Sequence, residues 1–195
     1  MGSSGCLRCI CCCYNCLVCL ILAAFAISIF FLVYYQPERP IYELKDFEVK
    51  KFDIHGNILE TDIAVSVQAI NTNSKIELRY GKENSIDVEY WETKICSGSI
   101  PPFLQPTKNT TTVNTSLEGK TEVSQSFQDS LERDQMEGRI PLDIEIEMSI
   151  IFVIEGINWR KMETKMKCIL VIDSLNSDKK TKIFNKKCGI KHEMA

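Results

Sequence analysis

Residues 140–154 read IPLDIEIEMSIIFVI. Every even position is apolar: Ile140, Leu142, Ile144, Ile146, Met148, Ile150, Phe152 and Ile154. Asp143, Glu145, Glu147 and Ser149 lie between them. Successive side chains of a β-strand point to opposite faces, so this period of two describes a strand with one buried face. Ile151 and Val153 make the second half apolar on both faces, which predicts a bend or break near Ser149. Working outward, the same alternation marks strands over 47–54, 62–70, 76–80, 85–94, 121–127, 160–173 and 181–188. In the first of these the apolar phase moves from odd (Phe47, Val49) to even (Phe52, Ile54), the mark of a bulge near Lys50-Lys51. One short helix is expected, around Ser130–Glu137. Pro101-Pro102 and Pro106 place an irregular crossover, running on through Lys108-Asn109-Thr110-Thr111, between two groups of strands. Short strands at this spacing, without βα alternation, predict an all-β domain: an antiparallel β-sandwich of immunoglobulin or fibronectin-III type.

A different physics governs the other end of the chain. Leu17–Tyr35, LVCLILAAFAISIFFLVYY, carries no charge. As a helix it spans roughly 30 Å, the thickness of a bilayer's hydrocarbon core. A cleaved signal peptide has a shorter apolar stretch, of about 7–15 residues, followed by small residues at the cleavage site. This run ends instead in Phe30-Phe31-Leu32-Val33-Tyr34-Tyr35, and the two tyrosines suit the interfacial aromatic belt. A transmembrane α-helix preceding the β domain is therefore expected. The C-terminal GIKHEMA lacks the apolar tail that a glycosylphosphatidylinositol anchor signal requires.

Of the 10 cysteines, Cys6, Cys9, Cys11, Cys12, Cys13, Cys16 and Cys19 crowd the N-terminus, and only Cys96, Cys168 and Cys188 follow. Two populations imply two compartments. The N-terminal cluster lacks the repeated CxxC spacing and the histidines of a structural zinc site. Cysteines at a membrane face are S-acylation candidates, Cys11, Cys12 and Cys13 above all, and unmodified thiols in a reducing cytosol are the other reading. Asn109-Thr110-Thr111 and Asn114-Thr115-Ser116 are glycosylation acceptors, so Asn109 and Asn114 point to a secretory lumen. Lysine and arginine counts beside the helix do not favour a cytosolic N-terminus, since Arg8 stands alone against Arg39, Lys45, Lys50 and Lys51. Long domains translocate largely regardless of charge, and the sequons favour N-in, C-out together with the family resemblance described below.

The net charge of −3 is unevenly spread. Residues 158–195 hold ten Lys/Arg against four Asp/Glu, whereas 36–157 hold twelve against twenty-two. A domain-wide basic excess is missing, which argues against nucleic acid as a partner. The run Lys179–Lys187 is a candidate surface for anionic headgroups or acidic polysaccharide, or a solvated turn and strand. His55 and His192 have no neighbours at metal-ligand spacing, and no metal or other cofactor is expected. Asp143, Glu145 and Glu147 would project about 7 Å apart along one strand face, a spacing open to carboxylate hydrolysis but also to a plain solvated face. Without a Gly-rich phosphate loop, a serine elbow or a Cys/His nucleophile pattern, the chain is not expected to be an enzyme.

The strands over 160–173 and 181–188 flank a segment holding Asn176, Ser177 and Asp178 as turn formers. A hairpin turning about Asp178 sets Cys168 directly opposite Cys188, α-carbons about 4.5–5.5 Å apart, within disulfide range. Cys96 is then left unpaired.

Several segments together resemble the harpin-induced and non-race-specific disease-resistance-like proteins of plants, which carry a late-embryogenesis-abundant type-2 domain. They are the apolar helix with Tyr34-Tyr35 and its Pro-containing stalk, Val67-Gln68-Ala69-Ile70-Asn71-Thr72-Asn73, and Ile86-Asp87-Val88-Glu89-Tyr90. Further along come Pro102-Phe103-Leu104-Gln105 with Lys108-Asn109-Thr110-Thr111, then Lys165-Met166-Lys167-Cys168 with Cys188. Thr72 stands where the family has proline, and Leu104 where it commonly has tyrosine. The resemblance implies a plasma-membrane protein of defence and stress responses with no catalytic residues. The expected organisation is a cytosolic Cys-rich tail (1–16), a transmembrane helix (17–35), a stalk (36–45) and an extracellular β-sandwich (46–191). Its partners would be the lipid bilayer and a protein or cell-wall polymer. The alternative is a module that holds a lipid or other hydrophobic ligand.

Overall fold

Burial of the apolar face over residues 140–154 organises the domain. In the computed structural model, which describes residues 3–177 and 181–194 and the side chains of 12–177 and 181–191, the chain forms two units, meeting at Glu38/Arg39. The first contains one helix, α1 (Ser3–Tyr35). Its segment Cys12–Tyr35 has a mean hydropathy of 3.1 and buries none of its side chains. The helix therefore starts well before Leu17 and runs through the cysteine cluster, where nothing in the sequence breaks it.

The second unit holds the strands, all paired antiparallel: β1 (Ile41–His55), β2 (Ile58–Asn71), β3 (Glu77–Tyr80), β4 (Ser85–Tyr90), β5 (Thr93–Ser99), β6 (Leu104–Gln105), β7 (Asn109–Glu122), β8 (Ile140–Ile154), β9 (Ile157–Ile172) and β10 (Ile183–Met194), with helix α2 (Gln125–Glu137) between β7 and β8. Hydrogen bonds connect them into one 10-stranded sheet in the order β1-β2-β7-β5-β4-β8, from which β3-β6 and β9-β10 branch at β8. The ladder is continuous, so it does not by itself identify an immunoglobulin or fibronectin-III order. The sheet curls, because Lys186 of β10 donates to the Leu44 carbonyl of β1 at 2.8 Å and the Tyr42 and Tyr80 hydroxyls meet at 3.1 Å.

β8 buries every apolar even position, and Val153 as well. Full burial of each such side chain contributes about 1.5–3 kcal/mol. No break occurs at Ser149. The strand instead changes partner there: Asp143–Glu147 pair with β4 and Ile150–Val153 with β3, while β9 follows the other edge throughout. At the handover the Ser149 N–H donates to Asn84 Oδ1 and its carbonyl accepts from the Gly81 N–H. In β1 the register slips between Val49 and Lys51, at the phase change seen in the sequence, and again between Leu44 and Asp46.

Four elements depart from the sequence expectation. β1 begins at Ile41, inside the expected stalk, because Tyr42 and Leu44 are buried against β2. The stretch 85–94 is two strands with a turn at Trp91-Glu92 (φ 46° and 62°), made without the glycine or asparagine that usually signals one. The sequon segment, expected to be loop, is strand β7, hydrogen-bonded to β2 from Asn109 to Glu122; its Thr-rich alternation suits a strand. Residues 121–127 are not one strand: β7 ends at Glu122 and α2 starts at Gln125. Ser124 caps α2 by accepting from the Phe127 N–H, Gly138 (φ 64°) closes it, and Phe127 and Leu131 are its buried residues.

β9 and β10 pair so that Cys168 faces Cys188, and the two are joined as a disulfide with α-carbons 4.0 Å apart. Asp178, Lys179 and Lys180, at the turn, lie outside the described residues. β5 crosses β7 so closely that a methyl group at Gly119 would run into the Ile95 carbonyl and sit 2.8 Å from Cys96 Cα. Backbone cannot step aside as a flexible side chain can. Gly119→Ala should therefore destabilise the protein by about 1–3 kcal/mol or more, read as a lowered denaturation midpoint, whereas Ala at Gly189, which meets nothing within 4 Å, should leave it near wild type.

Candidate functional site

The carboxylate stripe of β8 lies beside lysines of β9. Glu147 pairs with Lys165 at 2.7 Å, and Lys167 reaches Asp143 at 3.1 Å and Glu145 at 3.3 Å. These carboxylates raise the pKa of Lys167. Asp143, Glu145 and Glu147 thus form a cross-strand ion-pair lattice with Lys165 and Lys167 on an accessible face. A surface cavity of about 520 Å³ sits on this lattice, bounded on β10 by Gly189, Ile190 and Lys191.

His55 is exposed at the end of β1, and the side chain of His192 lies outside the described residues. Among the described residues no group of three His, Cys, Asp or Glu could hold a metal ion. Lys182 lies 5.4 Å from the centre of the Phe184 ring and Lys186 is tied to Leu44, while Lys179 and Lys180 fall outside the described residues.

The motif segments, by contrast, converge. Asn71, at the end of β2, donates through Nδ2 to the carbonyls of Ile76 (3.0 Å) and Pro106 (2.9 Å). Its Oδ1 accepts from the Asn73 backbone N–H and side-chain amide. The Lys108 N–H donates to the Asn73 carbonyl. Gln105 donates to the Ala69 and Asn109 carbonyls at 2.8 and 3.0 Å and accepts from the Tyr80 hydroxyl at 3.2 Å. With the Tyr80 proton committed to Gln105, Tyr42 is left to donate to Tyr80. Asn71, Asn73, Gln105, Tyr80 and Tyr42 are all buried, and Phe103 stacks on Tyr80 with ring centres 4.2 Å apart. Burial pushes the Tyr80 hydroxyl up to about 12 and raises Tyr42 as well, so both stay protonated donors.

The network thus uses Asn71, Asn73, Gln105 and Lys108 to tie the irregular crossover, at Pro106 and Lys108, to the loop between β2 and β3 and to the ends of β2 and β7. Its role is structural. Thr72, where the family has proline, is half-buried and takes no part in these bonds.

The modification candidates divide by exposure. Cys12 and Cys13 are exposed on α1, and the side chain of Cys11 lies outside the described residues. Asn114 is exposed and accepts from Ser66 Oγ at 2.6 Å, whereas Asn109 is half-buried and accepts from Thr111 Oγ1. Cys96 is buried, and desolvation pushes its thiol up to about 12, which leaves it unreactive.

A helix of bilayer length followed by an antiparallel β domain defines the class of membrane-anchored β-domain proteins. No family profile matches the chain. NDR1/HIN1-like protein 6 of Arabidopsis thaliana is 29% identical over 165 residues, covering 84% of this chain and 65% of that relative. The chain is thereby similar to an NDR1/HIN1-like protein, one of the family that its motifs resemble. It spans 65% of the length of that curated relative. Two solved structures overlap it weakly. One, described as a late embryogenesis abundant (LEA) protein, has a TM-score of 0.38 at 17% identity, covering 81% of this chain and 86% of its own. The other, a protein from Archaeoglobus fulgidus, has a TM-score of 0.32 at 12% identity, covering 78% and 98%.

If the Asn71 amide satisfies two buried carbonyls, Asn71→Asp should be as damaging as Asn71→Ala despite its matching shape, because it sets a carboxylate oxygen against both acceptors. Each should cost about 2–4 kcal/mol in chemical denaturation, from two acceptors left unpaired. A neutral Asn71→Asp would show that the donor is not used.

Proposed function

We infer that this chain is a non-enzymatic, single-pass plasma-membrane protein of plant defence and stress responses, acting through contact of its β domain with a protein or a cell-wall polymer. The observation that carries the reading is the apolar segment Cys12–Tyr35, without a buried residue and long enough to span a bilayer, in a chain similar to an NDR1/HIN1-like protein. The N-terminus lies in the cytosol, and Asn109 and Asn114 lie outside it. Contact rather than ligand capture is supported by the core. Its inward side chains on β2, β4 and β8 are nearly all inaccessible, and the described cavities lie at the surface, two of them lined by charged groups (Glu145, Lys165 and Lys167; Lys51, Glu60 and Lys120) and one by Trp91, Pro141, Val171 and Phe184 with Asp134 and Arg139. The lysine partners of Asp143, Glu145 and Glu147 support the non-enzymatic reading in the same way.

The topology predicts glycans, and exposure predicts where. An amidase that removes N-linked glycans should lower the apparent mass of the cell-made protein. Asn114→Gln should remove more of that change than Asn109→Gln, since Asn114 is exposed and Asn109 half-buried. No mass change in the wild-type protein would count against an extracytosolic domain.

Cys11, Cys12 and Cys13 are proposed S-acylation sites at the inner membrane face. The helix already anchors the chain, so replacing all three with serine should change lateral distribution in the membrane more than membrane attachment. Hydroxylamine-dependent thiol labelling should detect the lipid in the wild-type protein, and its absence there would end the proposal.

A further inference from the structure

The β8–β9 hairpin ends in an unusual tip. Glu155 and Gly156 form its turn with φ 49° and 82°, and the strand that leaves it begins with Ile157, 71% exposed, followed by Trp159, 37% exposed, Arg160 and Lys161. An isoleucine this exposed gains nothing from the domain's own core. Pairings place the tip at the end of the domain where β1 starts. Ile41 pairs with Ile70, the neighbouring Asn71 binds the Ile76 carbonyl, and Glu77 pairs with Val153. Arg79 Nη1 donates to Asn158 Oδ1 at 2.8 Å and holds the tip beside Leu104, the register partner of Arg79. Ile41 and Leu104 are themselves 46% and 49% exposed. Four large apolar side chains, Ile41, Leu104, Ile157 and Trp159, are thus exposed at one end, with Arg160 and Lys161 beside them.

The chain limits what that end can meet. Only Gln36–Pro40 separates α1 from β1, a linker that reaches about 20 Å at full extension. If α1 spans a bilayer, Ile41 cannot lie further than that from the membrane surface. Tryptophan and isoleucine flanked by arginine and lysine are the composition of side chains that settle at a lipid interface, rings and methyls at headgroup depth and cations reaching outward. Glu155 at the turn adds a carboxylate, so the tip carries both signs and suits zwitterionic rather than anionic headgroups.

We propose that the β8–β9 tip, with Ile157 and Trp159 leading, seats in the headgroup layer of the zwitterionic leaflet through which the chain's own helix passes, giving the domain a second, non-covalent membrane contact. This rests on the anchor reading given under Proposed function.

The chain's 2 tryptophans make the test internal. Trp91, 70% exposed, lies in the turn after β4, whose residue Glu89 pairs with Asp143. That is the far end of β8, about 40 Å from the tip along the strand. The full chain, as Trp91→Phe and as Trp159→Phe, is placed in nanodiscs of phosphatidylcholine with brominated or ordinary acyl chains. With Trp159 as the sole tryptophan, most of the emission should be lost in brominated lipid and its maximum should lie to the blue. With Trp91 as the sole tryptophan, the two lipids should give the same emission. Equal Trp159 emission in both lipids, in protein that co-purifies with the discs, overturns the seat and leaves the anchor standing. Failure of the chain to enter discs at all overturns the anchor, and the seat with it.

Discussion

β8 must hide an unbroken apolar face over fifteen residues while its edges stay hydrogen-bonded. No single neighbour meets both demands. β9 is long enough and follows one edge throughout, but the other edge is shared between β4 and β3, which are short and meet near Ser149. The junction leaves Ser149 without a strand partner on that edge, and Asn84 and Gly81 supply the missing acceptor and donor. The branching of the sheet at β8 follows from that arrangement, as does the closeness of β1 to β3 across the core.

The same accounting explains the crossover that leads from β5 through β6 to β7. Its prolines prevent regular pairing, so its carbonyls need side-chain donors, and water is excluded by Phe103 stacked on Tyr80. Asn71 and Gln105 supply four such bonds from buried positions, one to the crossover carbonyl of Pro106 and the others to the neighbouring carbonyls of Ile76, Ala69 and Asn109. An amide suits the task because it carries donors and an acceptor without a charge to desolvate. Spread along the sequence these residues look like unrelated short motifs. Folded, they are one clasp, and their spacing follows the path of the crossover.

Charge is handled differently on the outer face. Acids on β8 and lysines on β9 alternate in register, so a sequence with twelve basic against twenty-two acidic residues in one part and an excess of bases in the next becomes locally balanced. Such exposed pairs contribute little to stability, but they remove the strong single-sign field that a polyanion or a cation would follow. What remains accessible is the ends of the domain and its mixed outer face.

The sequence by itself determined the elements whose signal is local. The apolar run of α1, the period-two face of β8, the bulge at Lys50 and the register that sets Cys168 against Cys188 all follow from neighbours along one strand or helix, or from one turn. Family motifs were legible too, as residue types in a consistent order. Tertiary structure alone decided the rest. The turn at Trp91-Glu92 carries no turn residue and exists because Tyr90 is drawn inward against Phe127 and hydrogen-bonds Asp134. β7 reads as a polar loop, since its inner face is threonine where a core strand would be aliphatic; β5 covers that face and takes up Thr115 and Thr121 through its carbonyls. Phe127 looked like the end of a strand and is the buried face of a helix. In each case the side chain's partner lies on another element, and the packing energy gained there exceeds the small local preferences that the sequence displays.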